Sequence, residues 1–227
     1  ELAEAYYNRG ILRNEQKNYL GAEADLNRAI TINPEFAEAY YNRGTLRYEQ
    51  KNYLGAEADL NRAITINPEF AEAYYNRGFL RSEQKNYLGA EVDYNRAIMI
   101  NPEFAEAYNN RGLLRTEQKN YPGAEADYNR AIMINPKFAE AYNNRGLLRT
   151  EQKNYPSAEA DYTQAIRINS VDAGVYVNRG IVRAYLDNKP GAIADLQTAA
   201  QLFRKQENIE AYQKTQELLS ALQALPR

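Results

Sequence analysis

The hydrophobic and polar residues of this chain follow a pattern that returns every 34 residues. Each return begins with an alanine, at Ala3, Ala37, Ala71, Ala105, Ala139 and Ala173. After it, apolar and small residues recur twice at helical spacing, and a short turn (KNY in the first return) separates the two runs. The pattern therefore predicts six helix-turn-helix repeats, numbered 1 to 6, over residues 3–36, 37–70, 71–104, 105–138, 139–172 and 173–206.

Repeat 1 shows the two predicted helical faces. One face of its first helix carries Tyr6, Arg9, Gly10 and Arg13, and one face of its second helix carries Ala22, Leu26, Ala29 and Ile30. Pro34 ends the second helix, because proline has no amide hydrogen to donate and restricts the residue before it. A glycine inside a helix costs about 1 kcal/mol relative to alanine. Since glycine stands at the Gly10 position in every repeat, we expect the two helices of a repeat to approach closely there.

The chain resembles the tetratricopeptide repeat family in its period and in the residues at fixed positions. With Ala3 counted as position 1, the matching positions 4, 8, 20, 27 and 32 hold Tyr6, Gly10, Ala22, Ala29 and Pro34. The resemblance implies an all-α fold, a right-handed superhelical α-solenoid whose concave groove, lined by the first helices, binds peptides or partner proteins. The segment from about 207 to 225 is predicted to be a capping helix, so residues 1–227 are expected to form a single repeat domain.

Composition removes several classes of function. Lysine and arginine number 28 against 30 aspartates and glutamates, so the formal charge of −2 provides no basic field for nucleic acid. Cysteine and histidine are both absent, which excludes disulfides, thiolate and imidazole catalysis and zinc clusters. No apolar run approaches the ~20 residues of a membrane span. We therefore predict a non-enzymatic cytoplasmic protein with no cofactor, no metal site, no catalytic residue and no nucleic-acid or membrane partner.

Arginine occupies positions 7 and 11 of every repeat, where the family usually has apolar residues. Acids accompany these arginines on the second helix: position 23 is aspartate in all six repeats, and position 21 is glutamate in five. One interpretation is an internal ladder of ion pairs, and the other is an arginine row that binds phosphate or carboxylate ligands. We favour the ladder, because matched charges of this kind usually pair with each other.

The predicted groove lies on the face of the first helices that holds positions 2, 5, 9 and 12. Repeats 1 and 2 differ only at positions 9 and 12 of that face, while position 6 is asparagine throughout and offers amide groups to a peptide backbone. The alternative for positions 9 and 12 is that they differ by drift at surface sites that tolerate change. The alternative for position 6 is that the asparagines bond neighbouring residues of the protein. The predicted peptide-binding residues are Tyr7, Asn8, Tyr41, Asn42, Thr45, Tyr48, Tyr75, Asn76, Phe79, Asn109, Asn110, Asn143, Asn144 and Asn178.

Glutamates at position 2 of the first five repeats give the predicted groove an acidic rim, which favours a neutral or basic partner segment. We expect the apolar anchor of that segment to dock between repeats 2 and 3. The alternative function is a self-associating module that stacks end to end through its uncapped first repeat. A third is anion or phosphopeptide binding by the repeated arginines.

Overall fold

The computed structural model of the protein describes residues 1–224, and the regular secondary structure of this part of the chain is all helix, with no strand. The helices are α1 (Leu2–Glu15), α2 (Tyr19–Ile32), α3 (Ala37–Glu49), α4 (Tyr53–Ile66), α5 (Ala71–Glu83), α6 (Tyr87–Ile100), α7 (Ala105–Glu117), α8 (Tyr121–Ile134), α9 (Ala139–Glu151), α10 (Tyr155–Ile168), α11 (Ala173–Tyr185), α12 (Lys189–Lys205) and α13 (Ile209–Ala224). Each repeat contributes two helices in the predicted order, which confirms the all-α helix-turn-helix fold. The segment predicted as the capping helix forms α13, and its last predicted residue, Leu225, lies outside the described residues.

The chain divides into two compact parts. The N-terminal part comprises Glu1–Leu114, and the C-terminal part begins at Arg115. Within the N-terminal part, α2 packs on α3 and α4 packs on α5, in addition to the pairing of helices inside each repeat. Within the C-terminal part, α10 packs on α11 and α13 packs on α12. The prediction of one continuous domain over residues 1–227 stays a prediction.

Three consecutive residues make the turn between the helices of a repeat. In repeat 1, Gln16 ends α1, Lys17 adopts a left-handed conformation with φ of 60°, and Asn18 is already the N-cap of α2. The amide of Lys17 donates to the carbonyl of Asn14 and the amide of Asn18 to that of Arg13, which is the Schellman pattern of helix ends. The turn is therefore short because one residue closes the first helix and the next one opens the second.

The two helices of a repeat meet at the mid-helix glycine, as the sequence predicts. A β-carbon built on Gly44 would lie 3.2 Å from the carbonyl oxygen of Ala56 and 3.2 Å from Cγ of Leu60. In repeat 5 the corresponding contact is tighter, because a β-carbon on Gly146 would lie 2.7 Å from Cε1 of Tyr162. The glycine thus provides the room that α3 and α4, and likewise α9 and α10, need to pack.

The core between repeats joins the predicted face of each second helix to first-helix residues that the predicted faces omit. Leu46 of α3 packs on Ala22 and Leu26 of α2, and Ala39 packs on Ala29 in the same interface. Position 10 supplies the leucine and position 3 the alanine, and both are repeated in α5, where Leu80 and Ala73 do the same against α4. The first helix therefore has two buried sides, one toward its own repeat and one toward the preceding repeat.

Candidate functional site

A cavity of about 320 Å3 opens between repeats 2 and 3, inside the N-terminal part. It lies where α3 and α5 run side by side. Its lining is Gly44, Thr45, Tyr48, Glu49, Leu60, Tyr75, Asn76 and Phe79. Five of these were predicted as peptide-binding residues, namely Thr45, Tyr48, Tyr75, Asn76 and Phe79. We call this cavity the aromatic pocket, because three of its walls are aromatic rings.

The aromatic rings of the pocket are arranged to leave one of them open to a partner. The rings of Tyr48 and Phe79 meet edge to face, with centroids 5.7 Å apart, and Tyr53 lies on the other side of Tyr48 at the same distance. Phe79 is 36% exposed. Burial and the nearby Glu83 raise the pKa of Tyr48, which therefore stays a neutral hydroxyl near neutral pH. The pocket thus presents an apolar surface that is already held in place by its neighbours.

The tyrosines at position 5 have a structural role in addition to any contact with a partner. Tyr7, Tyr41 and Tyr75 are half-buried, and each ring lies 4.9 Å from the phenylalanine at the end of its own repeat: Phe36, Phe70 or Phe104. Their hydroxyls accept hydrogen bonds from the asparagine of the next repeat. These tyrosines therefore link neighbouring repeats by hydrogen bonds, and only part of each ring faces the groove.

The asparagines at position 6 use their amide nitrogens within the protein. The Nδ2 group of Asn42 donates to the Tyr7 hydroxyl at 3.0 Å and to the Glu38 carbonyl at 2.8 Å. The Nδ2 group of Asn76 donates to the Tyr41 hydroxyl at 3.1 Å, and that of Asn110 to the Tyr75 hydroxyl at 2.9 Å. Within residues 1–224 the Oδ1 atoms of Asn42 and Asn76 accept no hydrogen bond, so what these two residues offer a partner is an acceptor.

One predicted site residue does not lie in the groove. Asn109, at position 5 of repeat 4, is only 1% exposed. Its assignment as a peptide-binding residue is therefore wrong for this conformation. In the C-terminal part, Asn143 accepts a hydrogen bond from Asn178 at 3.2 Å, and Asn144 is half-buried. Asn8, in repeat 1, is exposed.

The arginines at positions 7 and 11 converge on one buried aspartate in repeats 1, 2, 3, 5 and 6. Arg77 binds Asp93 with both branches of its guanidinium, at 2.9 Å from Nε and 2.5 Å from Nη2, and Arg81 reaches the same carboxylate at 3.0 Å. In repeat 1, the hydrogen bond from Arg9 lowers the pKa of Asp25, against the opposing effect of burial. The arginines are thus engaged in an ion-pair ladder, and their geometry does not favour an anion-binding row.

The glutamate at position 21 connects neighbouring repeats. Glu23 of repeat 1 accepts from Arg47 of repeat 2 at 2.9 Å, and Glu57 accepts from Arg81 at 3.0 Å. The corresponding pair in repeats 5 and 6 is Glu159 with Arg183 at 2.7 Å. Arg183 therefore has a partner although its own repeat holds Ile193 in place of the glutamate.

Exposed acidic side chains lie on the first helices α3 and α5, and one of them, Glu49, lines the aromatic pocket. Glu38 and Glu72, at position 2, are exposed, as are Glu49 and Glu83, at position 13. Burial, and then the charge of Glu38, raise the pKa of Tyr7. The arginines of the same helices point toward the second helices, so the groove side of α3 and α5 keeps its glutamates uncompensated.

No helix among the described residues is both long and apolar enough to cross a lipid bilayer.

Sequence and structure comparisons agree on the class of protein. The profile of the tetratricopeptide repeat matches residues 3–36, 37–70, 71–104, 105–138 and 139–170. No curated protein sequence matches significantly. Among solved structures, PilF of Pseudomonas aeruginosa has a TM-score of 0.82 at 20% identity, over 96% of this chain and 97% of its own. PilW, a type IV pilus biogenesis factor, has a TM-score of 0.82 at 19% identity, over 94% and 98%.

A third structure adds a described binding site. YrrB, described as a tetratricopeptide repeat protein with an unusual peptide-binding site, has a TM-score of 0.64 at 20% identity, over 85% of this chain and 97% of its own. Identities this low support the fold alone. The repeat profile, in contrast, matches well over half of the chain. The chain therefore belongs to the tetratricopeptide repeat family.

Proposed function

We propose that this protein is a non-enzymatic interaction scaffold that binds a segment of another protein along the first helices of its N-terminal part. The observation that carries the proposal is the aromatic pocket between repeats 2 and 3. Apolar cavities with a few polar groups are the usual form of a binding site, and aromatic anchors in such pockets carry much of the energy of an interface. YrrB, a similar fold, is described as having a peptide-binding site.

The proposed site consists of those sequence-predicted residues that line the aromatic pocket or lie next to it. Thr45, Tyr48, Tyr75, Asn76 and Phe79 line it, while Asn42 and Asn110 belong to the neighbouring rungs of the groove. The Oδ1 acceptors of Asn42 and Asn76 would receive backbone amides of the partner, and the rings would hold its anchor side chain. The uncompensated glutamates favour a neutral or basic segment and raise its association rate at low salt.

The experiment is a selection of binding peptides from a displayed random library on the intact chain, followed by affinity measurements on variants. Phe79→Ala should weaken the selected peptide by at least about 1 kcal/mol, as expected for a pocket anchor. Phe79 is preferable to Tyr75 for this test, because Tyr75 also packs against Tyr94 and Phe104 and its loss would destabilise the fold.

The matched control is Leu88→Ala, which removes another exposed apolar side chain, at the start of α6. It should leave the affinity unchanged. If Leu88→Ala weakens binding and Phe79→Ala does not, the peptide binds the second helices and the groove proposal is wrong.

Self-association is a second candidate function, and the exposed side of α1 favours it. Leu12 is 52% exposed, whereas Leu46, at the same position of repeat 2, is buried against α2. Leu2 and Ala5 are exposed on α1 as well, beside Arg9. A second copy could cover this apolar side in the way that α2 covers α3.

Analytical ultracentrifugation over a wide concentration range tests this candidate. Self-association through α1 predicts a mass that rises with concentration and a return to the monomer in the Leu12→Lys variant. A constant monomer mass would exclude it and would leave the groove proposal untouched.

A further inference from the structure

Two polar side chains in the lining of the aromatic pocket, Glu49 and Asn76, keep unused hydrogen-bond acceptors. The carboxylate of Glu49 makes no ion pair or hydrogen bond within residues 1–224. Asn76 donates two hydrogen bonds through Nδ2, to Tyr41 and Thr45, so its remaining capacity is that of the acceptor Oδ1. A side chain that enters this pocket therefore gains most if it brings donors and no negative charge.

The walls of the pocket favour a cation for a separate reason. Tyr48, Tyr75 and Phe79 present aromatic rings, whose faces carry the negative part of the ring quadrupole and attract cations. Glu83 adds a second carboxylate near the pocket. Burial is the main cause of the raised pKa of Tyr48, and the charge of Glu83 raises it further. Like Glu49, Glu83 is exposed and makes no ion pair within the described residues. The aromatic rings and the carboxylates thus both attract a positively charged ligand.

The protein does not fill the pocket with a cation of its own. Arg43 and Arg47, on the same helix as Tyr48, are committed to Asp59 and Glu23 on the second helices. Arg77 and Arg81 on α5 are committed to Asp93 and Glu57 in the same way. The ion-pair ladder therefore holds the nearby guanidinium groups away from the groove side, where the unpaired acids lie.

We infer that the aromatic pocket binds an arginine side chain of the partner segment, an inference that rests on the proposed groove. The apolar stem of arginine would pack against Tyr48 and Phe79, and its planar guanidinium would stack on a ring and donate to Glu49 and Asn76. A cavity of about 320 Å3 lies at the small end of ligand sites, which suits a single long side chain. The partner is accordingly a basic protein segment rather than a purely apolar one.

The neighbouring repeats explain why the site is local. Between repeats 1 and 2 the positions that correspond to Tyr48 and Phe79 hold Asn14 and Thr45, so two of the three rings are missing, although Glu15 supplies the same carboxylate and Tyr41 corresponds to Tyr75. This pair of repeats is therefore an internal control for the carboxylate without the Tyr48 and Phe79 rings.

The test uses N-acetyl-arginine methylamide as the probe and the ring signals of phenylalanine-labelled protein as the NMR readout. The chain has only six phenylalanines, and the Phe79 signal can be assigned by its loss in Phe79→Leu. We expect a saturable shift of the Phe79 signal. The neutral isostere N-acetyl-citrulline methylamide should bind roughly 3- to 30-fold more weakly, the range that a cation–π contact and a lost ion pair predict.

Two exposed glutamates provide the matched variants. Glu49→Gln should weaken the arginine probe about 3- to 10-fold, the range for loss of one partly exposed charge partner, and Glu15→Gln should leave it unchanged. Tyr48→Leu should weaken it as well, which keeps the test independent of the glutamate alone. Equal binding of the citrulline probe, no shift of the Phe79 signal at saturating probe, or identical behaviour of Glu49→Gln and the native protein would each overturn the inference.

These outcomes are separate from those of the groove proposal. If displayed peptides bind at the pocket but the citrulline probe matches the arginine probe, the groove stands and the cation inference fails. If the arginine probe binds as expected while the selected peptides depend on Leu88 and not on Phe79, the pocket chemistry stands and the groove proposal fails.

Discussion

At the residue scale, the start of the second helices provides a comparison within one molecule. Asn120 caps α8 by accepting a hydrogen bond from the amide of Gly123 at 3.2 Å. Asn154 starts α10 but makes no side-chain capping bond, and Ser157 stands where the other repeats have glycine. A β-carbon on Gly123 would lie 2.8 Å from Nδ2 of Asn120. The side chain of Ser157 therefore occupies the space that the capping asparagine needs.

We predict that Asn120→Ala costs about 1 kcal/mol of stability, the usual value for loss of an N-cap. Asn154→Ala should cost less than half of that, because no capping bond is lost. Chemical denaturation of the two variants beside the native protein measures the difference. Equal destabilisation by both variants would mean that Asn154 caps α10 in solution.

At the element scale, the mid-helix glycines show which features of helix packing the sequence predicts. Glycine at one position of every repeat predicts a close helix approach, and the structure confirms it at Gly44 and Gly146. The sequence did not indicate how the approach varies, because that depends on whether leucine or tyrosine lies opposite. In repeat 2 the opposing residue is Leu60, and in repeat 5 it is Tyr162.

Alanine should therefore be tolerated differently at the two glycines. At Gly44 the neighbours need to yield by a few tenths of an ångström, and helix propensity returns about 1 kcal/mol, so Gly44→Ala should be close to neutral. At Gly146 the tyrosine ring must move, and overpacking of this kind costs about 1–3 kcal/mol. Melting temperatures of the two variants decide, and a Gly146→Ala protein as stable as Gly44→Ala would contradict the packing described here.

The contacts between repeats could not be predicted from the periodicity of the sequence. Helical spacing identifies residues on one face, but it does not say which neighbouring helix that face meets. Leu46 and the pairing of Glu23 with Arg47 both depend on the preceding repeat, as does the burial of Asn109. The sequence predicts that the partner's apolar anchor docks between repeats 2 and 3, where the aromatic pocket lies, whereas Gly44 and Leu60 in the lining of that pocket were not predicted as site residues.

At the scale of the whole molecule, buried tyrosines couple stability to alkaline pH. Burial raises the pKa of Tyr128 and of Tyr162 to about 12, although hydrogen bonds with Thr116 and Thr150 act in the opposite direction. An unfolded tyrosine has a pKa of about 10. The stability contributed by the neutral form is therefore fully present below pH 10 and is lost as the pH rises toward 12, because the unfolded state binds fewer protons there.

We predict that the free energy of unfolding falls by about 1.4 kcal/mol per pH unit for each of these two tyrosines between pH 10 and 12. The Tyr128→Phe/Tyr162→Phe double variant should show a correspondingly shallower decline. Urea denaturation of both proteins at a series of pH values separates this effect from the titration of lysines, which the two proteins share. Parallel declines would show that the two hydroxyls titrate in the folded state as they do in the unfolded chain.

The central claim is that the groove side of α3 and α5 binds a protein segment, and a footprint by NMR tests it most directly. With a display-selected peptide bound to the intact labelled protein, the account predicts that the largest shifts fall on Thr45, Tyr48, Asn76 and Phe79, around the cavity between repeats 2 and 3. It also predicts little change at the exposed second-helix residues Leu54 and Leu88. Shifts confined to the second helices or to the outer side of α1, with Tyr48 and Phe79 unaffected, would contradict it.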